Sequence, residues 1–135
     1  MSRTNLAIYR MQRAREILIE AQDSLTQKHF GLSVNRCYYA MFTSARAILA
    51  LKEMDSSKHS GVISLFNQHI VKEGLFSKEI SKSLPKAKDI REDADYGDFV
   101  EITEEDAHTQ LKRAIQFVEE AEKTTQDMIR GDENE

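Results

Sequence analysis

Three short blocks of the sequence hold the side chains that could do chemistry on a phosphate group. The first contains Arg36, Tyr38 and Tyr39, and the third runs from Arg91 to Tyr96. A guanidinium is planar and binds two phosphate oxygens at once, and a tyrosine hydroxyl can donate a further hydrogen bond or accept one. Both blocks are therefore candidate binding sites for a nucleotide or for RNA, with the tyrosines supplying stacking or hydroxyl contacts.

Within the third block, Arg91 and Asp95 are four residues apart and share one face if the segment is a helix. In the functional interpretation Asp95 orients Arg91 toward a phosphate and the Tyr96 hydroxyl is a second donor. The structural alternative is a surface ion pair, worth only about 0.2–0.5 kcal/mol when exposed. For Arg36 the alternative is a side chain that runs along core tyrosines and carries its charge to solvent.

The second block, Lys58 and His59 followed by Ser60 and Gly61, precedes an apolar run and is typical of a helix start. The positive end of the helix dipole disfavours imidazolium at that position. A neutral imidazole could accept a proton as a general base, and Lys58 beside it could bind an anion. A histidine that only packs against or caps the helix is the alternative.

Several other kinds of site are absent from the sequence. It contains no P-loop, no glycine-rich dinucleotide motif, no His-Glu-x-x-His and no zinc-like spacing of its four histidines. Cys37 is the single cysteine, so an internal disulfide is excluded. Acidic residues cluster between Asp93 and Asp106 without the fixed spacing of a metal loop, which favours a solvated acidic segment over a divalent cation site. We therefore expect no metal and no cofactor.

Length and composition indicate one soluble domain. The chain has 135 residues, of which 40% are hydrophobic and 31% charged, and its net charge is −4. Residues 1–60 hold nine lysines and arginines against five acidic residues, whereas residues 61–135 hold ten against eighteen. The basic half could meet an anionic partner, or the surface is simply solvated. Without a membrane-length apolar run or a signal-like start, a cytoplasmic protein is expected.

Apolar residues at steps of three and four predict five helical segments that would position these blocks. The segments span residues 4–27, 33–53, about 58–73, 77–96 and 103–130. The second is apolar nearly all round, which predicts a central helix. We predict an all-α, up-and-down antiparallel bundle of four long helices plus one shorter helix, formed by a single domain of residues 1–130 and followed by a frayed acidic tail of residues 131–135.

Punctuation and capping residues predict where these helices begin, break and end. Any of Asp55, Ser56 and Ser57 could cap the third helix, and Thr103 is expected to cap the last. Gly31 is expected just past the first helix with a positive φ, and Gly74 is expected to end the third. Pro85 predicts a kink or break near Leu84. The last helix carries a narrow apolar seam of seven residues that could pack internally or form a dimer face: Ala107, Leu111, Ala114, Val118, Ala121, Thr125 and Met128.

Together the three blocks resemble the HEPN superfamily, in particular its small stand-alone branch. The similarity rests on the segment from Asn35 to Phe42, on the segment from Lys58 to Val62, and on the segment from Arg91 to Tyr96. Their order and spacing match over roughly residues 5–125. The resemblance implies an antiparallel bundle that forms a homodimer and acts on RNA or nucleotides. It also implies a metal-independent endoribonuclease, often the toxin of a toxin–antitoxin pair whose partner is a minimal nucleotidyltransferase.

Nucleases of this superfamily use an arginine followed four to six residues later by a histidine, and this sequence departs from that motif. Thr43 stands seven residues after Arg36, two helical turns away on the same face, and Tyr96 stands five residues after Arg91. Neither side chain is a good base near neutral pH. His59, from another helix, is left as the proton carrier beside Arg91 and Tyr96. The competing hypothesis is a non-catalytic helical module that binds a nucleotidyltransferase partner.

Overall fold

The structure, a computed structural model, describes residues 2–133, and these form helices joined by short loops without a strand. The helices are α1 (Arg3–Thr26), α2 (Phe30–Ala50), α3 (His59–Phe66), α4 (Lys78–Ser81), α5 (Ser83–Tyr96) and α6 (Glu104–Glu133), and a π-helical turn at Asn67–Val71 continues α3. The predicted all-α bundle is confirmed. Helix α6 includes residues 131–133 of the predicted tail, and Asn134 and Glu135 lie outside the described residues.

Contacts between the helices show that neighbours run in opposite directions. At one end, the Ser33 hydroxyl of α2 donates to the Ala21 carbonyl near the end of α1. At the other end, Arg10 of α1 donates to the Arg46 carbonyl of α2 at 3.2 Å. The same reversal relates α1 to α6, where ion pairs join Arg3 to Asp132 and Arg15 to Glu122.

Helix α2 is the centre of the bundle, as its apolar circumference predicted. It contacts α1, α3, α5 and α6. The seam of α6 faces inward, because its residues from Ala107 to Thr125 are all buried at the predicted spacing and Met128 is half-buried. This seam packs within the chain, so it supplies no free face for a partner.

The helix starts follow ordinary capping chemistry. The Ser2 hydroxyl accepts from the Asn5 amide at the start of α1. Before α6, the Thr103 hydroxyl accepts from the Asp106 amide while the Asp106 carboxylate accepts from the Thr103 amide, which is a reciprocal capping box. The predicted caps of α3 among residues 55–57 are wrong, because Lys58 occupies the cap position without a side-chain bond.

Two glycine predictions have opposite outcomes. Gly74 ends the third segment with φ +80°, as predicted. Gly31 does not take a positive φ, because α2 begins at Phe30 and Gly31 is helical. The left-handed turn after α1 is made by Lys28 at φ 64°, since the chain reverses within three residues and starts the next helix early.

The predicted break in the fourth segment exists but lies earlier than expected. Helix α4 ends at Ser81, α5 starts at Ser83, and Lys82 separates them. Pro85 is the third residue of α5 rather than the first. A proline is tolerated there because the first-turn amides have no intrahelical acceptor. Among the described helices, none has both the length and the apolar content that crossing a membrane requires.

Candidate functional site

From residue 36 to the end of α2, one stripe reaches solvent while the other residues are buried. Its members are Arg36, Tyr39, Thr43 and Arg46, which are half-buried and recur at steps of three and four residues. We call these four residues the α2 stripe. Helix α1 borders it on one side, through the ion pair of Glu20 with Arg36. Helices α3 and α5 border it on the other, through His59 and Arg91 against Tyr39, and we call the half-buried surface between these helices the groove.

His59 at the start of α3 lies on this groove against the aromatic rings of α2. Its Nδ1 is 3.1 Å from the Tyr38 hydroxyl, and its ring lies 4.4 Å from the Phe42 ring between centroids. The Tyr39 ring packs edge-on against it at 5.8 Å. Tyr38 is fully buried and Tyr39 half-buried, so only Tyr39 offers a ring face to the groove.

Gly61 lets the chain approach α3 closely enough to position His59. A Cβ atom on Gly61 would lie 2.1 Å from the Ser56 hydroxyl oxygen and 2.9 Å from the Ser56 Cβ. Such distances are far inside van der Waals contact, so a side chain here would push the loop before α3 outward. The glycine of the Lys58–Gly61 block therefore fixes the entry of α3 onto α2.

Arg91 of α5 is a buried cation stacked on the same rings. Its side chain is 8% exposed, and its guanidinium carbon lies 5.1 Å from the Tyr38 ring centre and 5.5 Å from that of Tyr39. Its carboxylate partner Asp95 is 3.6 Å away from Nη1, and its buried Nε has no hydrogen-bond acceptor among the described residues. A buried donor without an acceptor is costly, so this guanidinium is suited to an added anion.

Arg36 approaches Tyr39 as well, with its guanidinium carbon 5.3 Å from the ring centre. The two arginines are linked through Asn35, whose amide oxygen accepts from Arg36 Nη2 at 2.7 Å. The Asn35 amide nitrogen donates to Asp95 at 3.0 Å. The two guanidinium groups thus converge on one tyrosine from separate helices, and a polar network holds both.

Electrostatics keep His59 neutral near neutral pH. Burial lowers the pKa of the imidazole below its ordinary value of 6.5, and the positive charges of Arg91, Lys88 and Arg46 lower it further, while Glu92 opposes them. Burial also raises the pKa of the Tyr38 phenol, against the opposing effect of Arg91. The pair therefore consists of a neutral imidazole and a protonated hydroxyl.

The thiol and the hydroxyl near Arg36, those of Cys37 and Thr43, have different positions. Cys37 is fully buried, and burial raises the pKa of its thiol to about 12, so it is a core residue and no nucleophile. Thr43 lies on the α2 stripe on the same face as Arg36, as their seven-residue spacing predicted. A threonine hydroxyl there can donate a hydrogen bond but cannot act as a base at neutral pH.

Most of the residues singled out from the sequence gather in this groove. Arg36, Tyr38, Tyr39, His59, Arg91 and Asp95 are joined by the contacts above. Tyr96 is not among them, because its side chain points to solvent and is 75% exposed. Lys58 is exposed at the start of α3, beside His59 in sequence, and forms no ion pair among the described residues. The structure therefore separates Tyr96 from Arg91.

Asn35, Arg46 and Lys88 lie at the site although none of them was a predicted site residue. Asn35 and Arg46 stand out in the sequence as polar residues in an otherwise apolar helix, and such residues are expected to point into gaps or a pocket. Lys88 offers no such signal, because its position near His59 depends on how α5 packs.

The acidic segment between Asp93 and Asp106 forms no metal-binding cluster. Across residues 2–133, no three histidine, cysteine or acidic side chains gather closely enough to hold a metal ion. Asp95 is turned toward Asn35 and Arg91, and Asp106 toward the start of α6. These two carboxylates therefore have structural partners within the protein.

Comparison with known proteins places this helical bundle in a known family. A model of the HEPN domain matches residues 7–124, and the chain belongs to the HEPN family. It is 38% identical to a UPF0332 protein of Thermotoga maritima, over 91% of this chain and 93% of that protein. It is 37% identical to another from Gloeobacter violaceus, over 81% and 87%. It is 33% identical to a protein of Methanocaldococcus jannaschii named "Putative toxin MJ0605", over 86% of each chain.

Proposed function

We propose that this HEPN protein binds RNA in the groove above the α2 stripe and cleaves it without a metal ion. The observation that carries the proposal is Arg91, a buried guanidinium with an unpartnered Nε and one carboxylate at 3.6 Å, beside a histidine. A phosphate bound at the solvent-facing edge of this guanidinium would give the buried cation a second anionic partner. Arg36, on the same tyrosine ring, would bind a second oxygen or the next phosphate.

The reaction that fits these residues is attack of a ribose 2′-hydroxyl on the adjacent phosphorus. His59 accepts the 2′-proton, the new O2′–P bond forms, and the P–O5′ bond breaks. The 5′-oxygen takes a proton from the imidazolium as it leaves, which gives a 2′,3′-cyclic phosphate and a 5′-hydroxyl. Arg91 stabilises the charge that develops on the phosphate oxygens.

The hydrogen bond between Tyr38 and His59 would determine which ring nitrogen of His59 carries the proton. When Nδ1–H donates to the Tyr38 oxygen, Nε2 is left as the free acceptor that a general base needs. Among the described residues Nε2 has no hydrogen-bond partner. Tyr38 is therefore proposed as a positioning residue, and Asp95 and Asn35 as residues that orient the two arginines.

A cleavage assay tests this proposal. A labelled, unstructured RNA is incubated in EDTA with the wild type, with Arg91→Gln and with His59→Gln. Cleavage by the wild type and its loss by about 100-fold in each variant would support the proposal, since a general base contributes about 10²–10⁴-fold. Equal background cleavage by all three proteins would reject the proposed nuclease activity. Equal RNA binding by all three proteins would reject the proposal that RNA binds in the groove.

The name of the Methanocaldococcus relative motivates a proposed toxin role, with a minimal nucleotidyltransferase as antitoxin. In the alternative, non-catalytic proposal, the same partner is simply held by the bundle. One observation favours a protein interface: Ile8 and Ile19 are 51% and 60% exposed on α1, three helical turns apart. A homodimer is the other proposed occupant of this face.

Light scattering on a sizing column distinguishes these assemblies. The chain is measured alone and after co-expression with a minimal nucleotidyltransferase, next to the variant Ile19→Asp. Loss of the dimer or of the complex in the variant would support the α1 face. A wild type that stays monomeric in both measurements would reject the interface.

A further inference from the structure

A second pair of arginines lies at the far end of the α2 stripe. Arg46 contacts Asp55 through Nη2 at 2.8 Å and through Nε at 3.3 Å, and Arg10 of α1 contacts the same carboxylate at 3.4 Å. Arg10 also donates to the Arg46 backbone carbonyl. Two guanidinium groups thus share one carboxylate, which leaves a net positive charge at this end of the groove.

The two guanidinium groups also repel each other. Burial lowers the pKa of Arg10, and the positive charge of Arg46 lowers it further, against the opposing effect of Asp55. Two cations share one carboxylate, so an additional anion bound between them would offset their repulsion.

The geometry places this pair in line with the groove already described. Arg46 is the last residue of the α2 stripe, and its positive charge lowers the pKa of His59. Ten residues separate it from Arg36, which corresponds to about 15 Å of helix. Because stacked nucleotides in one strand rise about 3.4 Å each, the stripe is about as long as four nucleotides.

We propose that Arg46 and Arg10 form a second phosphate subsite, so that the ligand of the groove is a single-stranded oligonucleotide of about four or more nucleotides rather than a mononucleotide. The inference rests on the proposed function. One phosphate of the strand binds at Arg91 and Arg36 beside His59, and a later phosphate displaces Asp55 from the arginine pair. Tyr39, between the two ends, offers its ring to a base.

The structural alternative is a salt bridge that only ties α1, α2 and the loop before α3 together. The two interpretations predict opposite behaviour for two variants. If the cluster is only structural, Arg46→Gln and Asp55→Asn both break the Arg46–Asp55 ion pair and change RNA binding in the same direction. If the cluster is a subsite, Asp55 competes with phosphate, so removing its charge strengthens binding while removing Arg46 weakens it.

The experiment measures binding of 2′-O-methyl oligonucleotides by fluorescence anisotropy, since these lack the attacking hydroxyl and cannot be cleaved. A dinucleotide and an octanucleotide are compared for the wild type, Arg46→Gln, Asp55→Asn, Arg91→Gln and the control Arg15→Gln. The control substitution removes the same charge, but Arg15 pairs with Glu122 on the α6 side of α1. Thermal melting of each variant confirms that it is folded.

We expect Arg46→Gln to weaken octanucleotide binding about tenfold, leave the dinucleotide within about twofold, and make the salt dependence shallower by about 0.7 in log–log slope. Asp55→Asn should bind the octanucleotide about threefold tighter. Suppose that Arg91→Gln weakens octanucleotide binding. If Arg46→Gln then binds the octanucleotide as tightly as Arg15→Gln does, or Asp55→Asn binds it no tighter than the wild type, the second subsite is rejected and the proposed function stands. If the wild type binds neither oligonucleotide, the proposed function itself is wrong, and the subsite with it.

Discussion

The hydroxyl of Tyr38 lies 3.1 Å from Nδ1 of His59, and this contact joins the most buried tyrosine of α2 to the first residue of α3. It ties a proton-carrying side chain to the rigid centre of the bundle rather than to a loop. The same tyrosine ring lies under Arg91. One buried residue thus positions both the cation and the imidazole of the groove.

Replacing Tyr38 with phenylalanine should loosen the position of His59 without leaving a cavity in the core. The ring that packs on Phe42 remains, and only the hydrogen bond to His59 is lost. We expect the free energy of unfolding, measured in urea, to fall by about 0.5–1.5 kcal/mol. RNA cleavage should fall more steeply than RNA binding. Tyr39→Phe is the matched control, and an equal loss of cleavage in that variant would contradict the role of the Tyr38 hydroxyl.

The depressed pKa of His59 predicts a dependence of stability on pH. The unfolded chain binds a proton at this histidine near pH 6.5, whereas the folded chain binds it only at lower pH. Stability is therefore full above pH 6.5 and decreases as the pH falls from there toward the folded pKa. Urea denaturation between pH 7.5 and 5.5 should show this decrease, and His59→Gln should reduce it. An identical pH profile in the variant would show that the depressed pKa is absent.

Replacement of Arg91 by lysine should preserve the charge and lose the function. The planar fork and its stacking on two tyrosine rings disappear, although a cation remains. We expect RNA binding to weaken by about 10- to 100-fold, the equivalent of one charge-assisted hydrogen bond of about 1.5–3 kcal/mol. Anisotropy titration measures it, with Arg15→Lys as the control. Binding retained by Arg91→Lys would mean that only charge matters at this position.

Gly61→Ala should displace the start of α3. The added Cβ would collide with Ser56, so we expect a loss of about 1–3 kcal/mol in the free energy of unfolding and a loss of RNA cleavage. Ser56→Gly in the same chain should restore much of both. Gly131→Ala is the control, because a Cβ there meets no atom within 4 Å. If Gly61→Ala is as stable as that control, the close approach does not position His59.

The fold was predictable from the sequence because helix periods, caps and apolar faces are local properties. The central position of α2, the cap at Thr103 and the spacing of the α6 seam follow from the sequence pattern, whereas the packing of that seam inside the chain rather than on a second copy does not. The early start of α2 was not predictable, because the left-handed turn falls on Lys28 instead of Gly31. Here the tight connection between two packed helices outweighed the conformational preference of glycine.

The candidate site was predictable only in part. The spacing of Arg36 and Thr43 correctly placed them on one face, and Arg36, His59 and Arg91 do lie around the same rings. Tyr96 was expected beside Arg91, but it is the last residue of α5 and its side chain is exposed. The direction of a side chain at a helix end depends on what packs there, and sequence spacing does not contain that information.

The central claim is that Arg91 and His59 form one anion pocket, and an NMR titration tests it most directly. A 2′-O-methyl dinucleotide is added while the Arg91 Nε–H resonance and the His59 ring resonances are followed. If the two residues form one pocket, the resonances of Arg91 and of His59 shift along one saturation curve. The pKa of His59 rises as well, because the bound phosphate offsets the surrounding positive charge. Resonances of both residues that stay fixed at saturating dinucleotide would contradict it.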